Sequence, residues 1–557
     1  MKKGNLVYLP MSRGFEGIPH NVYPRPQLKR ESFLNLNGEW DFASTNGDEP
    51  KEYGKIIVPF PRESRLSGAE SQKGNYLFYK RCFSLPEGFL RDRVILNIGA
   101  ADQKAEIFIN GKAVGSHRGG YLPFSFDITD YLSDNNELYI KIIDNPADKT
   151  EPYGKQKVKR GGMWYTPVSG LWQTVWLESV PREYVRSLKI DMNSSGCVIT
   201  AEGVKNGTVS VDGEGDFPLV DGKCEITLAA PKPWSPEEPN LYYFTLTSGE
   251  DTVRSYFAVR TLEIKEVDGI PRLLLNGKPY FFNGLLDQGY FSDGIYTPAD
   301  LAAYEDDVKL TKELGFNMLR KHIKIEPEQS YYDCDRLGVA VFQDMVNNGG
   351  YSFLRDTALP TIGLKRRSDK RLNRSQKGRE NFLSDMEKTV MVLYNHPSIC
   401  LWTIFNEGWG QFESSAAYRR LKELDSSRFI DSASGWFSGG KSDVVSEHVY
   451  FKPYRHKSAK KPVVLSEFGG YAHQVEGHCM NPDKQYGYRK FSSREELAKA
   501  IETLYKTEVI PAVEKGLCAA VYTQLSDVED ETNGLITYDR KVIKVDSERF
   551  KKLFKNI

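Results

Sequence analysis

Hydrophobic and polar positions along the chain follow two rhythms in turn. Over the first 180 residues, apolar and polar side chains alternate in short runs rich in β-branched and aromatic residues. Arg93–Ile98 (R-V-I-L-N-I), Lys104–Ile109 (K-A-E-I-F-I), Glu137–Ile143 (E-L-Y-I-K-I-I) and Gln173–Leu177 (Q-T-V-W-L) are such runs. Asn110-Gly111, directly after Ile109, predicts a tight hairpin. No long helical period interrupts them, so 1–180 reads as a jelly-roll β-sandwich. Shorter strands continue over 181–264, among them Ser187–Asp191, Cys197–Glu202 and Tyr242–Thr247, at the spacing of a small immunoglobulin-like β-sandwich.

The rhythm then changes. From residue 265 onward, strand-like runs alternate with helical ones. The predicted strands are Tyr280–Leu285, Phe316–Arg320, Val339–Met345, Ile399–Glu407, Arg428–Ala433, Val445–Phe451, Val463–Phe468 and Ala519–Leu525. Helices are predicted near Pro298–Leu314, Pro327–Leu337 and Glu380–Asn395; in the last, Phe382, Met386, Val390 and Leu393 form one stripe. Eight strands with intervening helices over 265–557 match the size of a (β/α)8 TIM barrel.

Composition narrows the function. Lys plus Arg and Asp plus Glu both number 75, which argues against a dedicated nucleic-acid partner. No apolar run is long enough for a membrane span, and the start M-K-K-G-N-L-V-Y-L-P lacks the core of a signal peptide. Seven scattered cysteines without a C-x-x-C point to reduced thiols and a cytoplasmic location.

The fourth barrel strand, L-W-T-I-F, reads as buried on both faces, yet it runs into Asn406 and Glu407. Active sites of such barrels lie at the carboxyl ends of the strands. Glu467, in P-V-V-L-S-E-F-G-G, ends the seventh strand in the same way. Two acids at one barrel mouth suit glycosidic hydrolysis: one protonates the leaving oxygen, the other attacks or activates water. Either acid alone reads equally as a cap or an ion-pair partner; the two together point to catalysis. The Gly-Trp-Gly after Glu407 is expected to leave backbone room for a sugar. Arg320 and His322 end strand two, Asp287 follows strand one, and His448 and Trp436 are rim candidates. Trp402 and Trp40 read as core.

At these residues the sequence resembles glycoside hydrolase family 2, the family of β-galactosidases, β-glucuronidases and β-mannosidases. N-H-P-S-I-C-L-W-T-I-F-N-E-G (395–408) is similar to its acid/base signature, L-S-E-F-G-G to its nucleophile strand, and L-G-F-N-M-L-R-K-H (314–322) to its second-strand motif. L-N-G-E-W-D-F and S-G-L-W-Q-T-V-W-L-E resemble its sugar-binding jelly roll. The resemblance implies Glu407 as general acid/base, Glu467 as nucleophile, Asn406 on the sugar 2-hydroxyl and Tyr450 on the nucleophile. It implies an exo-acting, retaining β-glycosidase, of β-galactosidase type first. The alternatives are a β-uronidase (a β-galacturonidase or an atypical β-glucuronidase) and a non-catalytic carbohydrate-binding relative. The partner would be a small carbohydrate or glycoside; no metal or cofactor is expected, and homo-oligomerisation is left open.

The chain departs from the family in places. Strand eight carries Thr523 and Gln524 where well-known members carry a Trp. Glu531 and Asn533 stand where β-glucuronidases have an Asn-x-Lys clamp for the sugar carboxylate. R-K-H-I-K could present Lys321 or Lys324 to a carboxylated sugar, or pair them with barrel acids. The loop over 347–379 contains the basic run L-K-R-R-S-D-K-R-L-N-R-S-Q-K-G-R and reads as a lid or a solvated flap.

Overall fold

The computed structural model describes residues 6–361, 364, 369–370, 372–437 and 439–555. In its N-terminal part a six-stranded antiparallel sheet, which includes Gly38–Thr45 and Asn136–Ile143, faces a four-stranded sheet that includes Arg93–Ile98 and Val175–Val180. The alternation seen in the sequence turns Phe42, Tyr79, Leu96, Ile107 and Ile140 into the core between them. Trp40 belongs to that core, its indole donating to the Leu36 carbonyl at 2.8 Å. The Asn110-Gly111 turn adopts positive φ at both residues, 51° and 74°, and joins Lys104–Ile109 to Lys112–Arg118. A three-stranded and a four-stranded sheet between Ser187 and Phe257 form the second sandwich.

Strands Leu262–Val267, Ile270–Leu275 and Lys278–Pro279 form a small antiparallel sheet ahead of the barrel. Leu262, Leu273 and Tyr280 pack against the apolar side chains inside the barrel strands. The barrel strands follow: β1 (Phe282–Asp287), β2 (Met318–Lys321), β3 (Ala340–Asp344), β4 (Ile399–Thr403), β5 (Phe429–Asp431), β6 (Val445–Val449), β7 (Val463–Gly469) and β8 (Leu517–Thr523). All their ladders are parallel, and β1 pairs with both β2 and β8. Among the described residues no ladder joins β5 to β6; Asp443 N donates to Ile430 O at 2.9 Å there instead. The helices Ala302–Glu313, Glu328–Leu337 and Gln376–Leu393 lie where the apolar periods predict them. Trp402 is buried in β4 and donates to Asp425 Oδ2 at 2.8 Å.

Four expectations about the strands need correction. β4 ends at Thr403, short of Glu407, and β6 ends at Val449, just before Tyr450; Asp287 is the last residue of β1 and not beyond it, and His322 lies one residue past the end of β2. Beyond β4, Ile404 N donates to Asp431 O at 2.9 Å and Asn406 bridges to Ser434. No helix among the described residues is long and apolar enough to cross a membrane. Lys365, Arg366, Arg367 and Arg371 of the basic run lie outside the described residues.

Candidate active site

The groups that meet at the barrel mouth come from the carboxyl ends of different strands. Glu407 follows β4 with φ at +52°, a left-handed conformation held by Glu407 N donating to Ser434 O at 2.9 Å. Gly408 and Gly410 are also left-handed, with φ of 73° and 67°. The room they leave is not for a sugar, which corrects that expectation. A Cβ on Gly408 would lie 2.2 Å from the Phe437 ring, and one on Gly410 would lie 2.1 Å from Asn348 O. Trp409 between them is buried against Tyr153 and Trp164 of the jelly roll.

Glu467 lies in β7, opposite His448 of β6, at a register shift between Glu447 and His448. Glu407, His448 and Glu467 each offer one donor atom within 4.8 Å of the others. His448 Nδ1 is 2.9 Å from Glu407 Oε1, and its Nε2 is 3.7 Å from Glu467 Oε1 and 3.0 Å from Ser434 Oγ. The Tyr450 hydroxyl spans the two acids, donating to Glu467 Oε2 at 2.6 Å and lying 3.1 Å from Glu407 Oε1. Tyr488 stacks on the Tyr450 ring at 4.3 Å. This trio is also where donor atoms close enough to share a metal ion occur among the described residues. A metal there would take the lone pairs that acid chemistry at this site needs.

Arg320 organises the floor. Its Nε donates to Asp344 Oδ1 at 2.9 Å, Nη1 to Glu467 Oε1 at 3.1 Å and to Ser466 O at 2.9 Å, and Nη2 to Asn406 Oδ1 at 2.9 Å. Since Arg320 can only donate, Asn406 accepts there with its oxygen, which leaves its amide NH2 for another partner. Asp344 also takes His322 Nδ1 at 2.7 Å. Burial works to raise the Asp344 pKa, but Arg320 and His322 hold it below the usual range. An ionised Asp344 accepts only, so His322 donates from Nδ1 and keeps Nε2 as an acceptor. Burial drives the His322 pKa down, which keeps the ring neutral at neutral pH.

Glu467 is buried, yet its pKa falls to about 2. Burial alone would raise it; the nearby His448, His322 and Arg320 and the Tyr450 hydroxyl more than offset that. Arg320 is the permanent charge among these. The Glu407 side chain keeps 14 % of its surface exposed, against 7 % for Glu467. One acid is therefore fixed as a carboxylate, and the other is the more open to what enters the mouth.

The remaining predicted residues are placed differently. Asp287 and Lys321 form a buried ion pair at 2.5 Å, and Asp287 also accepts from Gly289 N at 2.9 Å. Neither bonds to Glu407 or Glu467, and the cation keeps Asp287 below the usual carboxylate range despite burial. Lys324 pairs with Glu326 at 2.8 Å and donates to the carbonyls of Gly289 and Tyr296. The offer of Lys321 or Lys324 to a sugar therefore gives way to pairing with barrel acids. Trp436 packs edge-on to His448 at 5.4 Å and donates to Asp356 O at 3.0 Å. The sequence reading missed Asp344, which ends β3 as Q-D-M much as Glu407 follows β4. It also missed Tyr488 and the jelly-roll segment around Tyr153 and Tyr165; only the aromatic and basic density of E-P-Y-G-K-Q-K-V-K-R-G-G-M-W-Y marked the latter.

The chain matches three descriptions in order: "Glycosyl hydrolases family 2, sugar binding domain" over 38–179, "Glycosyl hydrolases family 2" over 189–260, and "Glycosyl hydrolases family 2, TIM barrel domain" over 266–542. It belongs to glycoside hydrolase family 2. A β-galactosidase of Aeromonas hydrophila is 26 % identical over 503 residues, 78 % of this chain, and the chain spans 45 % of that protein's length. The β-glucuronidase of Chlorocebus aethiops is 24 % identical over 558 residues, covering 83 % of this chain and 81 % of its own. Among solved structures, a β-D-glucuronidase of Dictyoglomus thermophilum superposes with a TM-score of 0.74 at 19 % identity, over 96 % of this chain and 99 % of that one. A family 2 β-galacturonidase of Eisenbergiella tayi gives 0.71 at 18 % identity, over 96 % and 99 %. At such identities the structures establish the shared fold.

Proposed function

We propose that the chain is an exo-acting, retaining β-glycosidase. The observation that carries this reading is the closeness of the two acids, with oxygens within 4.8 Å and one tyrosine hydroxyl between them. Retaining enzymes need carboxyl groups about 5–5.5 Å apart, whereas inverting ones leave roughly 6.5–9.5 Å for a water. Glu407 protonates the glycosidic oxygen while Glu467 attacks C1, and the aglycone leaves with that proton. Glu407 then takes a proton from water, which attacks C1 and releases Glu467. The low pKa of Glu467 supports its role as the ionised nucleophile. Asn406, fixed by Arg320 through its oxygen, offers its NH2 to the sugar 2-hydroxyl. His322 Nε2 is a second acceptor for a sugar hydroxyl. An intact acid pair speaks against a non-catalytic binding relative.

The test is stereochemical. Proton spectra of the first product from an aryl β-glycoside are expected to show the β-anomer before mutarotation; an α-anomer appearing first overturns the double displacement. A β-galactoside and a β-galacturonide share this chemistry and differ in whether C6 is a hydroxymethyl or a carboxylate carbon.

Tyr450→Phe probes the bridge. Its hydroxyl bonds to the charged form of Glu467 and so helps depress that pKa. Without it the folded-state pKa rises, and the acid limb of the pH–kcat/KM profile moves to higher pH. A loss of roughly 10- to 100-fold in kcat is expected alongside. An unmoved acid limb would reduce Tyr450 to a packing role.

A further inference from the structure

The jelly roll reaches over the barrel mouth through the segment 149–166. Tyr153 N donates to Asn347 O at 3.0 Å and its hydroxyl to Gly349 O at 2.7 Å, both beyond β3. Gly154 lies so near the end of β2 that a Cβ there would sit 3.0 Å from Ile323 O. The Tyr165 hydroxyl donates to Glu531 Oε2 at 2.5 Å, beyond β8, and Tyr165 N closes the segment onto Lys155 O at 3.0 Å. Lys155 therefore leaves the backbone between the ends of β2, β3 and β8. Its charge reaches His322, where burial and then Lys155 lower the pKa, and Glu531, where it opposes the rise caused by burial.

The other cations described at these strand ends are taken. Arg320 holds Asp344 and Glu467, Lys321 holds Asp287, and Lys324 holds Glu326. Arg160, farther along the same jelly-roll segment, holds Glu529 and Asp530 at 3.0 Å each. Lys155 is half-buried, and among the described residues its ammonium makes no hydrogen bond and no ion pair closer than 4 Å. Glu531 is already served by Tyr165 and by Asn533 Nδ2 at 2.9 Å. A half-buried ammonium with no hydrogen-bond or ion-pair partner among the described residues suits an anion, since the charged form gains most from a charged acceptor.

We propose that Lys155, supplied by the jelly roll, is a specificity-determining residue that binds the carboxylate of a hexuronic acid, so that the preferred substrate is a β-uronide. The inference rests on the retaining-glycosidase reading. It supplies from another domain the carboxylate partner that is missing where Glu531 and Asn533 stand. A neutral hexose would leave the Lys155 charge unanswered within the filled site.

The experiment compares nitrophenyl β-galactoside, β-glucoside, β-galacturonide and β-glucuronide with the wild-type chain, Lys155→Met and Lys155→Arg. Wild-type is expected to favour the uronides in kcat/KM. Lys155→Met should lower the uronide-to-hexoside ratio about 30-fold or more, chiefly through KM, and Lys155→Arg should restore most of it. The galacturonide and glucuronide arms separate the two C4 epimers. A wild-type preference for hexosides, or an equal loss on both classes in Lys155→Met, overturns the proposal and leaves the glycosidase reading standing. Absence of turnover on all four substrates and on nitrophenyl β-mannoside, or an α-anomer as first product, defeats the glycosidase reading itself, and this inference with it.

Discussion

Glu467→Gln is expected to lower kcat on every β-glycoside by roughly ten-thousand-fold or more, with the fold intact. The amide keeps the volume of the side chain but offers no nucleophilic carboxylate, so the covalent step is lost outright. Its carbonyl oxygen, in the place of Oε1, can still accept from Arg320 Nη1, while its NH2, in the place of Oε2, can donate to the Tyr450 hydroxyl oxygen. Arg320 keeps Asp344 as its counter-charge at 2.9 Å, so the substitution leaves no unpaired buried cation. Activity and thermal melting should therefore separate, with turnover gone and the melting curve close to wild type. Residual kcat above about one per cent would remove Glu467 from the nucleophile's role and point to another acid at the mouth.

Glu407→Ala should give a different signature. With a good leaving group such as dinitrophenolate, the first step needs little protonation and survives, while the second slows for want of a base. With an alkyl aglycone, whose departure depends on protonation, a loss of roughly a hundred- to ten-thousand-fold is expected. Azide enters the space vacated by a partly exposed side chain and needs no base, so it should restore turnover and yield a β-glycosyl azide. Equal losses on both leaving groups, with no azide rescue, would show that Glu407 supports the site without exchanging its proton.

The parts of this arrangement visible in the sequence are those written locally. Strands β4 and β7 are buried on both faces, so each reads as an apolar run, and an acid beyond such a run stands out. Arg320 and His322 were legible for the same reason at the end of β2. Their partner Asp344 was not singled out, because a lone strand-end acid has no local mark of the two donors it serves. The position of His448 between the acids depends on a register shift in the β6–β7 ladder, which no period reveals. Lys321 drew attention by standing beside His322, whereas Lys155 lies more than a hundred residues from any barrel strand and reaches the site only through docking. The same holds for Gly408 and Gly410: their positive φ could be guessed, but not that Phe437 and Asn348 fill the space beside them.

Tyr121, Tyr153, Trp164, Tyr165 and Trp172 of the jelly roll belong to one apolar cluster with Trp402, Phe405 and Trp409 of the barrel. A chain cut near residue 180 would expose that aromatic face to water and strip one wall from the mouth at once. The boundary between the two folds is thus not a boundary of cooperativity, and the barrel is not a transplantable unit. Folding and turnover draw on the same rings, so a substitution that loosens a jelly-roll aromatic will surface first as an enzyme that melts early and reads its sugar poorly.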